Sequence, residues 1–137
     1  MSFLTGQCLC GDITYKIENP HKSPSSCHCT QCQSWGGQAW PSVSCDIDNF
    51  CLVQGEYTLT WFQSSKRARR GFCSSCGSTL FWQANHGENA NTYMSISMGS
   101  LDTPHNMKIA RHIYCADQGT YYDIKDGLPQ FEKSSSS

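Results

Sequence analysis

No long apolar run occurs in this sequence. None of its 137 residues falls in a stretch long and apolar enough to span a bilayer, which argues against a helical membrane anchor within it. Residues Met1 to Gln7 carry neither a charged n-region nor an apolar segment of signal-peptide length. Charge imbalance is missing too, since ten Lys and Arg stand against eleven Asp and Glu, a formal net charge of −1. A dedicated nucleic-acid binder carries a basic excess, so that class is disfavoured. With no internal repeat and no dividing linker, the expectation is one domain over residues 1–133 and a polar, disordered tail at 134–137. With no export signal, the chain is expected in the cytoplasm, where thiols stay reduced.

A long helical period is also lacking, whereas period-two alternation recurs. Ile13, Tyr15 and Ile17 alternate with Asp12, Thr14 and Lys16, and Tyr57, Leu59 and Trp61 with Thr58, Thr60 and Phe62. Leu80 and Trp82 alternate with Thr79, Phe81 and Gln83, and Met94, Ile96 and Met98 with Ser95, Ser97 and Gly99. Ile109 to Tyr114 reads as a further short strand, and any helix is expected to be short, after Cys29 or near Leu101. Turn signals such as Asn19-Pro20, Gly36-Gly37 and Asp126-Gly127 separate these runs. The fold class is therefore mainly β.

What the chain has in abundance is cysteine, ten in all. Seven fall in three clusters: Cys8-Leu9-Cys10, Cys27-His28-Cys29-Thr30-Gln31-Cys32 and Cys73-Ser74-Ser75-Cys76. Close CxC and CxxC pairs are poor long-range staples, and a reducing compartment disfavours disulfides, so the spacing points to thiolate-rich metal sites of the zinc type. Residues two apart in a strand face the same way, so Cys8 and Cys10 can aim at one ion. Cys73 and Cys76 form a knuckle with Gly77 just beyond. These four sulfurs would make one closed site. Cys27, Cys29 and Cys32 would then make a second with one position left for water or a substrate thiol. Spacing alone also permits Cys29 and Cys32 to join Cys73 and Cys76, leaving Cys8, Cys10 and Cys27 over. Cys45, Cys51 and Cys115 stand alone and read as small buried hydrophobes.

In that order, CxCG (Cys8 to Gly11), CHCxxC (Cys27 to Cys32) and GFCxxCGS (Gly71 to Ser78) resemble the glutathione-dependent formaldehyde-activating enzyme family, which includes centromere protein V-like members. Gly99-Ser100-Leu101-Asp102, His112-Ile113-Tyr114 and Asp126-Gly127-Leu128-Pro129 add to the likeness, which runs from about Gly6 to Phe131. The resemblance implies a zinc-binding β-tent fold of packed small antiparallel sheets. It also implies two zinc ions per chain: a structural one on Cys8, Cys10, Cys73 and Cys76, and a catalytic-type one on Cys27, Cys29 and Cys32. The implied activity is that of a carbon–sulfur lyase joining a glutathione-type thiol to a small aldehyde such as formaldehyde. Where family members often carry a Lys-Ala-Pro-Trp-like stretch, this chain reads Gln118-Gly119-Thr120-Tyr121.

Within that reading Cys27, Cys29, Cys32 and His28 are the candidate catalytic residues, His28 as a proton relay or as a group supporting the ligands. His112 reads as a satisfied polar group near the core. The run Lys66-Arg67-Ala68-Arg69-Arg70 reads as a solvated strand edge, or else as a guide for an anionic thiol. Trp35 and Trp40 are the candidates to line a pocket. Two other readings of the cysteines are a non-catalytic zinc module that binds a protein partner and a sensor that releases zinc on oxidation.

Overall fold

The computed structural model describes residues 3–134. Of the expected polar tail only Ser134 is among them, and residues 135–137 lie outside. The described chain is mainly β, with ten strands and one short helix. It divides into two compact units, residues 3–21 with 43–106, and residues 22–42 with 107–134.

The first unit contains a three-stranded antiparallel sheet of β1 (Phe3–Gln7), β2 (Thr14–Glu18) and β5 (Phe50–Gln54), with β2 in the middle. The alternation read in β2 is its burial pattern: Tyr15 and Ile17 are buried while Thr14, Lys16 and Glu18 are half-exposed. Tyr15 packs edge-on against Phe81 with ring centroids 5.4 Å apart, and its hydroxyl lies 2.6 Å from Ser100 Oγ. Gly6 runs beneath that ring. A Cβ there would collide with the Tyr15 hydroxyl and come within 2.6 Å of the Ser100 carbonyl oxygen. Backbone cannot yield as a flexible side chain can, so Gly6→Ala is expected to cost about 1–3 kcal/mol. Urea unfolding tests this, and an unchanged midpoint would refute the steric argument.

The same unit contains β6 (Leu59–Gln63), β7 (Ala68–Cys73), β8 (Thr79–Ala84) and β9 (Tyr93–Ser97), neighbours in that order. Two expectations are corrected here. Tyr57 is not part of β6. It stays outside the strand and is 95 % exposed, because the Thr58 and Leu59 N–H groups close a turn on the Gly55 carbonyl. The basic run is not a solvated strand edge either, since β7 pairs with β6 on one side and β8 on the other. Arg70 is buried, and Arg69 lies 3.9 Å over the Trp61 ring while donating twice to Gln83 Oε1. Guanidinium planes stack on aromatic faces, so an interior strand accepts them. Lys66 and Arg67 remain exposed.

β8 is buried on both faces, so Phe81, read from sequence as lying opposite the apolar face, is a core residue beside Leu80. Met98 leaves the β9 pattern for a 3-10 turn at Met98–Ser100.

In the second unit β3 (Ser25–Cys27) is flanked by β10 (Arg111–Ile113), running parallel, and by the start of β4 (Trp40–Asp46), running antiparallel. Cys27 stands opposite Trp40. The helix α1 (Thr30–Gly36) follows Cys29, as the sequence leads one to expect. It starts where Cys29 adopts an extended backbone and accepts a bond from the Cys32 N–H. It stops at Gly37, whose left-handed φ of 96° lets its N–H close on the Gln33 carbonyl. Trp40 is buried, and Trp35 packs against it with ring centroids 5.0 Å apart.

Candidate metal centre

The clusters resolve into two groups, one in each unit. In the first unit Cys8, Cys10, Cys73 and Cys76 place their sulfurs within 4.8 Å of one another. The Cys8–Cys10 pair does not lie in a strand, although its two-residue spacing suggests one. β1 ends at Gln7, and the two cysteines occupy a turn closed by Gly11 N–H to the Cys8 carbonyl and Cys8 N–H to the Ile13 carbonyl, both 3.1 Å. Gly11 permits the turn with φ of 83°. On the other side Cys73 ends β7, and Gly77, at φ 80°, returns its N–H to the Cys73 carbonyl at 2.8 Å.

Backbone N–H groups point at these sulfurs, Ile13 to Cys8 at 3.3 Å and Cys76 to Cys73 at 3.4 Å. The Ser78 hydroxyl joins the two turns. It accepts from the Leu9 N–H at 2.9 Å and lies 3.2 Å from Cys76 Sγ. That hydroxyl, with the backbone, pulls the Cys76 thiol down to about 6. Cys10 feels a lowering contact from the Asp12 backbone. Burial and the neighbouring sulfurs outweigh it and push Cys10 up to about 12. Four sulfurs this close, two of them in the core, repel as thiolates unless a cation sits among them. The donor set is that of a closed, thiolate-rich metal site.

In the second unit Cys27, Cys29 and Cys32 also converge within 4.8 Å. Cys27 ends β3, Cys29 caps α1 and Cys32 lies buried in the first turn of that helix. A tetrahedral ion held by three cysteines keeps one position for another ligand. The Cys27 thiol is pushed upward by the Cys29 and Cys32 sulfurs and by burial, as expected of sulfurs gathered without a cation. The chain thus has two cysteine groups that can hold metal ions. The alternative grouping across Cys29, Cys32, Cys73 and Cys76 is not the one adopted.

No disulfide joins the described cysteines. Cys45 is fully buried, as a small hydrophobe would be, and burial pushes its thiol up to about 12. Cys51 departs from that expectation. It is exposed, standing opposite the half-exposed Lys16 on the more polar face of its sheet.

His28, between two of the candidate ligands, is 2 % exposed. Its Nδ1 lies 2.6 Å from the Tyr122 hydroxyl and its Nε2 2.9 Å from His112 Nδ1. His112 Nε2 in turn lies 2.8 Å from Asp126 Oδ2. Burial and the neighbouring His112 hold His28 below its ordinary value, so it is neutral near pH 7. The Leu128 N–H and His112 hold Asp126 below the usual carboxylate range. Tyr122 and Asp126 are candidate site residues that the sequence alone does not mark as such. Asp126 did appear in the Asp-Gly-Leu-Pro motif, but nothing local in the sequence marks Tyr122.

The family described as "Glutathione-dependent formaldehyde-activating enzyme" matches residues 3–117, well over half of the chain. The chain belongs to that family. An uncharacterized lyase of Schizosaccharomyces pombe is 32 % identical over 84 residues, covering 61 % of this chain and 60 % of the relative. A Halomonas elongata protein, provisionally named as a glutathione-dependent formaldehyde-activating enzyme, is 29 % identical over 85 residues, covering 57 % and 54 %. The chain thus matches less than two thirds of the length of either relative. A crystal structure of a Rhodobacter sphaeroides protein shares the fold, with a TM-score of 0.62 at 21 % identity, over 74 % of this chain and 90 % of that one. No helix among the described residues is long and apolar enough to cross a membrane.

Proposed function

We propose that this protein is a zinc-dependent carbon–sulfur lyase that handles a glutathione-type thiol and a small aldehyde, in a reducing compartment such as the cytoplasm. The observation that carries the reading is the convergence of Cys27, Cys29 and Cys32, a set one ligand short of a closed tetrahedron, whereas the other set is complete. In this proposal Cys8, Cys10, Cys73 and Cys76 hold a structural zinc ion, and Cys27, Cys29 and Cys32 hold the catalytic-type one. Family membership and the names of the relatives support lyase chemistry at that level. The single domain over residues 1–133 belongs to the proposal too, supported by a family match that runs through both units.

Bound zinc would supply a Lewis acid that holds a thiol in its thiolate form at neutral pH. The chain's own contribution is placement. The Cys29 cap and the first turn of α1 fix two of the three sulfurs on one rigid element. Holding thiol and aldehyde together removes much of the entropic barrier to forming the thiohemiacetal. His28 is the candidate catalytic residue most constrained by its surroundings. Both of its ring nitrogens already have protein partners, so within the proposal it supports the cysteines rather than contacting substrate.

Exchange between formaldehyde and its glutathione adduct, followed by NMR, tests the reading. Wild-type protein carrying two metal equivalents is expected to accelerate exchange, and Cys29→Ser is expected to lose both the second equivalent and the acceleration. Equal rates for the two proteins would remove the lyase assignment. One fully closed four-sulfur site and no second metal would remove it as well.

A further inference from the structure

His28 has every polar group engaged. Its N–H donates to the Ile113 carbonyl at 3.0 Å, and its carbonyl accepts from Gln33 Nε2 at 2.8 Å. Its ring is held at both nitrogens, by Tyr122 and by His112. Such complete engagement of a residue lying between two converging cysteines fixes the backbone that carries them.

One arrangement of protons satisfies all four groups. Asp126 is ionised and can only accept, so His112 donates from Nε2. His112 Nδ1 can then accept from His28 Nε2. His28 Nδ1 is left as an acceptor, which the Tyr122 hydroxyl satisfies. Each of these polar groups therefore has a partner. A half-satisfied buried network would be costly, so each member depends on the others.

Gln33 ties the same region from the helix side. Besides holding the His28 carbonyl, its amide nitrogen donates to the Asp117 carbonyl at 2.7 Å, and its oxygen accepts from the Tyr121 hydroxyl at 3.1 Å. Gly119 is required there, because a Cβ would strike Tyr121 and come within 2.6 Å of Gln33 Oε1. The segment carrying Tyr121, Tyr122 and Asp126 lies beyond the matched residues 3–117.

We propose that Tyr122, His112 and Asp126 are positioning residues for the three-cysteine cluster. They lock His28, and through its backbone Cys27 and Cys29, so the segment after residue 117 sets how tightly that cluster holds its metal. This rests on the metal reading of Cys27, Cys29 and Cys32, but not on the lyase reaction. Groups that orient ligands from behind typically contribute about 10- to 100-fold in metal affinity.

The test uses cobalt(II) as probe, titrated into the full chain and followed through thiolate charge-transfer absorption and competition with a chelator. Tyr122→Phe removes only the hydroxyl, and Asp126→Ala removes the terminal acceptor from a partly exposed position, so both variants are expected to fold. Each should weaken the second cobalt equivalent by about tenfold or more while leaving the first, on Cys8, Cys10, Cys73 and Cys76, unchanged. Asp126→Asn, which keeps an acceptor oxygen, should recover most of the loss. Unchanged affinity for the second equivalent in both Tyr122→Phe and Asp126→Ala overturns the proposal. Equal weakening of both equivalents also overturns it, by showing a general loss of structure. A wild-type chain that takes up one equivalent only overturns the metal reading of the cluster itself, and the inference falls with it. If cobalt binding behaves as expected but formaldehyde exchange is not accelerated, the lyase assignment alone fails.

Discussion

Cys73→Ser is expected to cost the protein its folded state under ordinary conditions. Cys73 is fully buried at the end of β7 and faces Cys10 across 3.7 Å, with the Cys76 N–H directed at its sulfur. If the four sulfurs hold a zinc ion, its binding contributes on the order of 10 kcal/mol to folding. That rivals the ~5–15 kcal/mol by which a whole domain is stable. The cluster ties the turn after β1 to the knuckle after β7, residues far apart in sequence, so little else at this point replaces the ion. Near-UV circular dichroism and a thermal melt should show loss of fixed packing in Cys73→Ser. A strong chelator should produce the same change in the wild type. A variant that melts within a degree or two of wild type would refute a structural metal at this site. The contrast with Cys29→Ser is informative, because that substitution is expected to remove a metal equivalent while leaving the first unit folded.

The cysteines were the most legible part of the sequence because their chemistry is local: CxC and CxxC pairs announce converging sulfurs whatever the surroundings. Spacing could not pair the pairs, since that requires chain reversals many residues away, and here only the resemblance chose among groupings. Local alternation found β2 because one of its faces is apolar and the other polar. It misread β8, where Leu80 and Phe81 are both buried and no polar face exists to set the period. It also took the basic run of β7 for a solvated edge, because Arg69 looks solvent-facing until Trp61 and Gln83 are brought alongside it. The Tyr122–His28–His112–Asp126 chain was out of reach for a related reason. His28 meets His112 and Tyr122 across 84 and 94 residues, and it is the pairing of β10 with β3 that brings His112 to the end of β3.

Phe81 offers the largest expected effect that involves no metal ligand. Its ring is fully buried and lies 5.1 Å from Phe50, 5.4 Å from Tyr15 and 6.2 Å from Trp61, measured between centroids. Tyr15 and Phe50 meet it edge-on, the arrangement that aromatic quadrupoles favour. Truncation to alanine removes the transfer free energy of the ring and leaves a cavity that these rigid neighbours cannot easily fill. Phe81→Ala should therefore cost about 3–5 kcal/mol. Phe81→Leu retains most of the buried carbon and should recover the larger part of that loss. Urea unfolding of metal-loaded protein measures both, and a loss below about 1 kcal/mol for Phe81→Ala would show that Phe81 is not the centre of this core. The consequence reaches the first cysteine cluster, because β8 begins directly after Cys76, Gly77 and Ser78. Phe81 pairs with Gly71 in the β7–β8 register that carries this knuckle, so cobalt uptake by the first cluster should weaken in Phe81→Ala and be largely restored in Phe81→Leu.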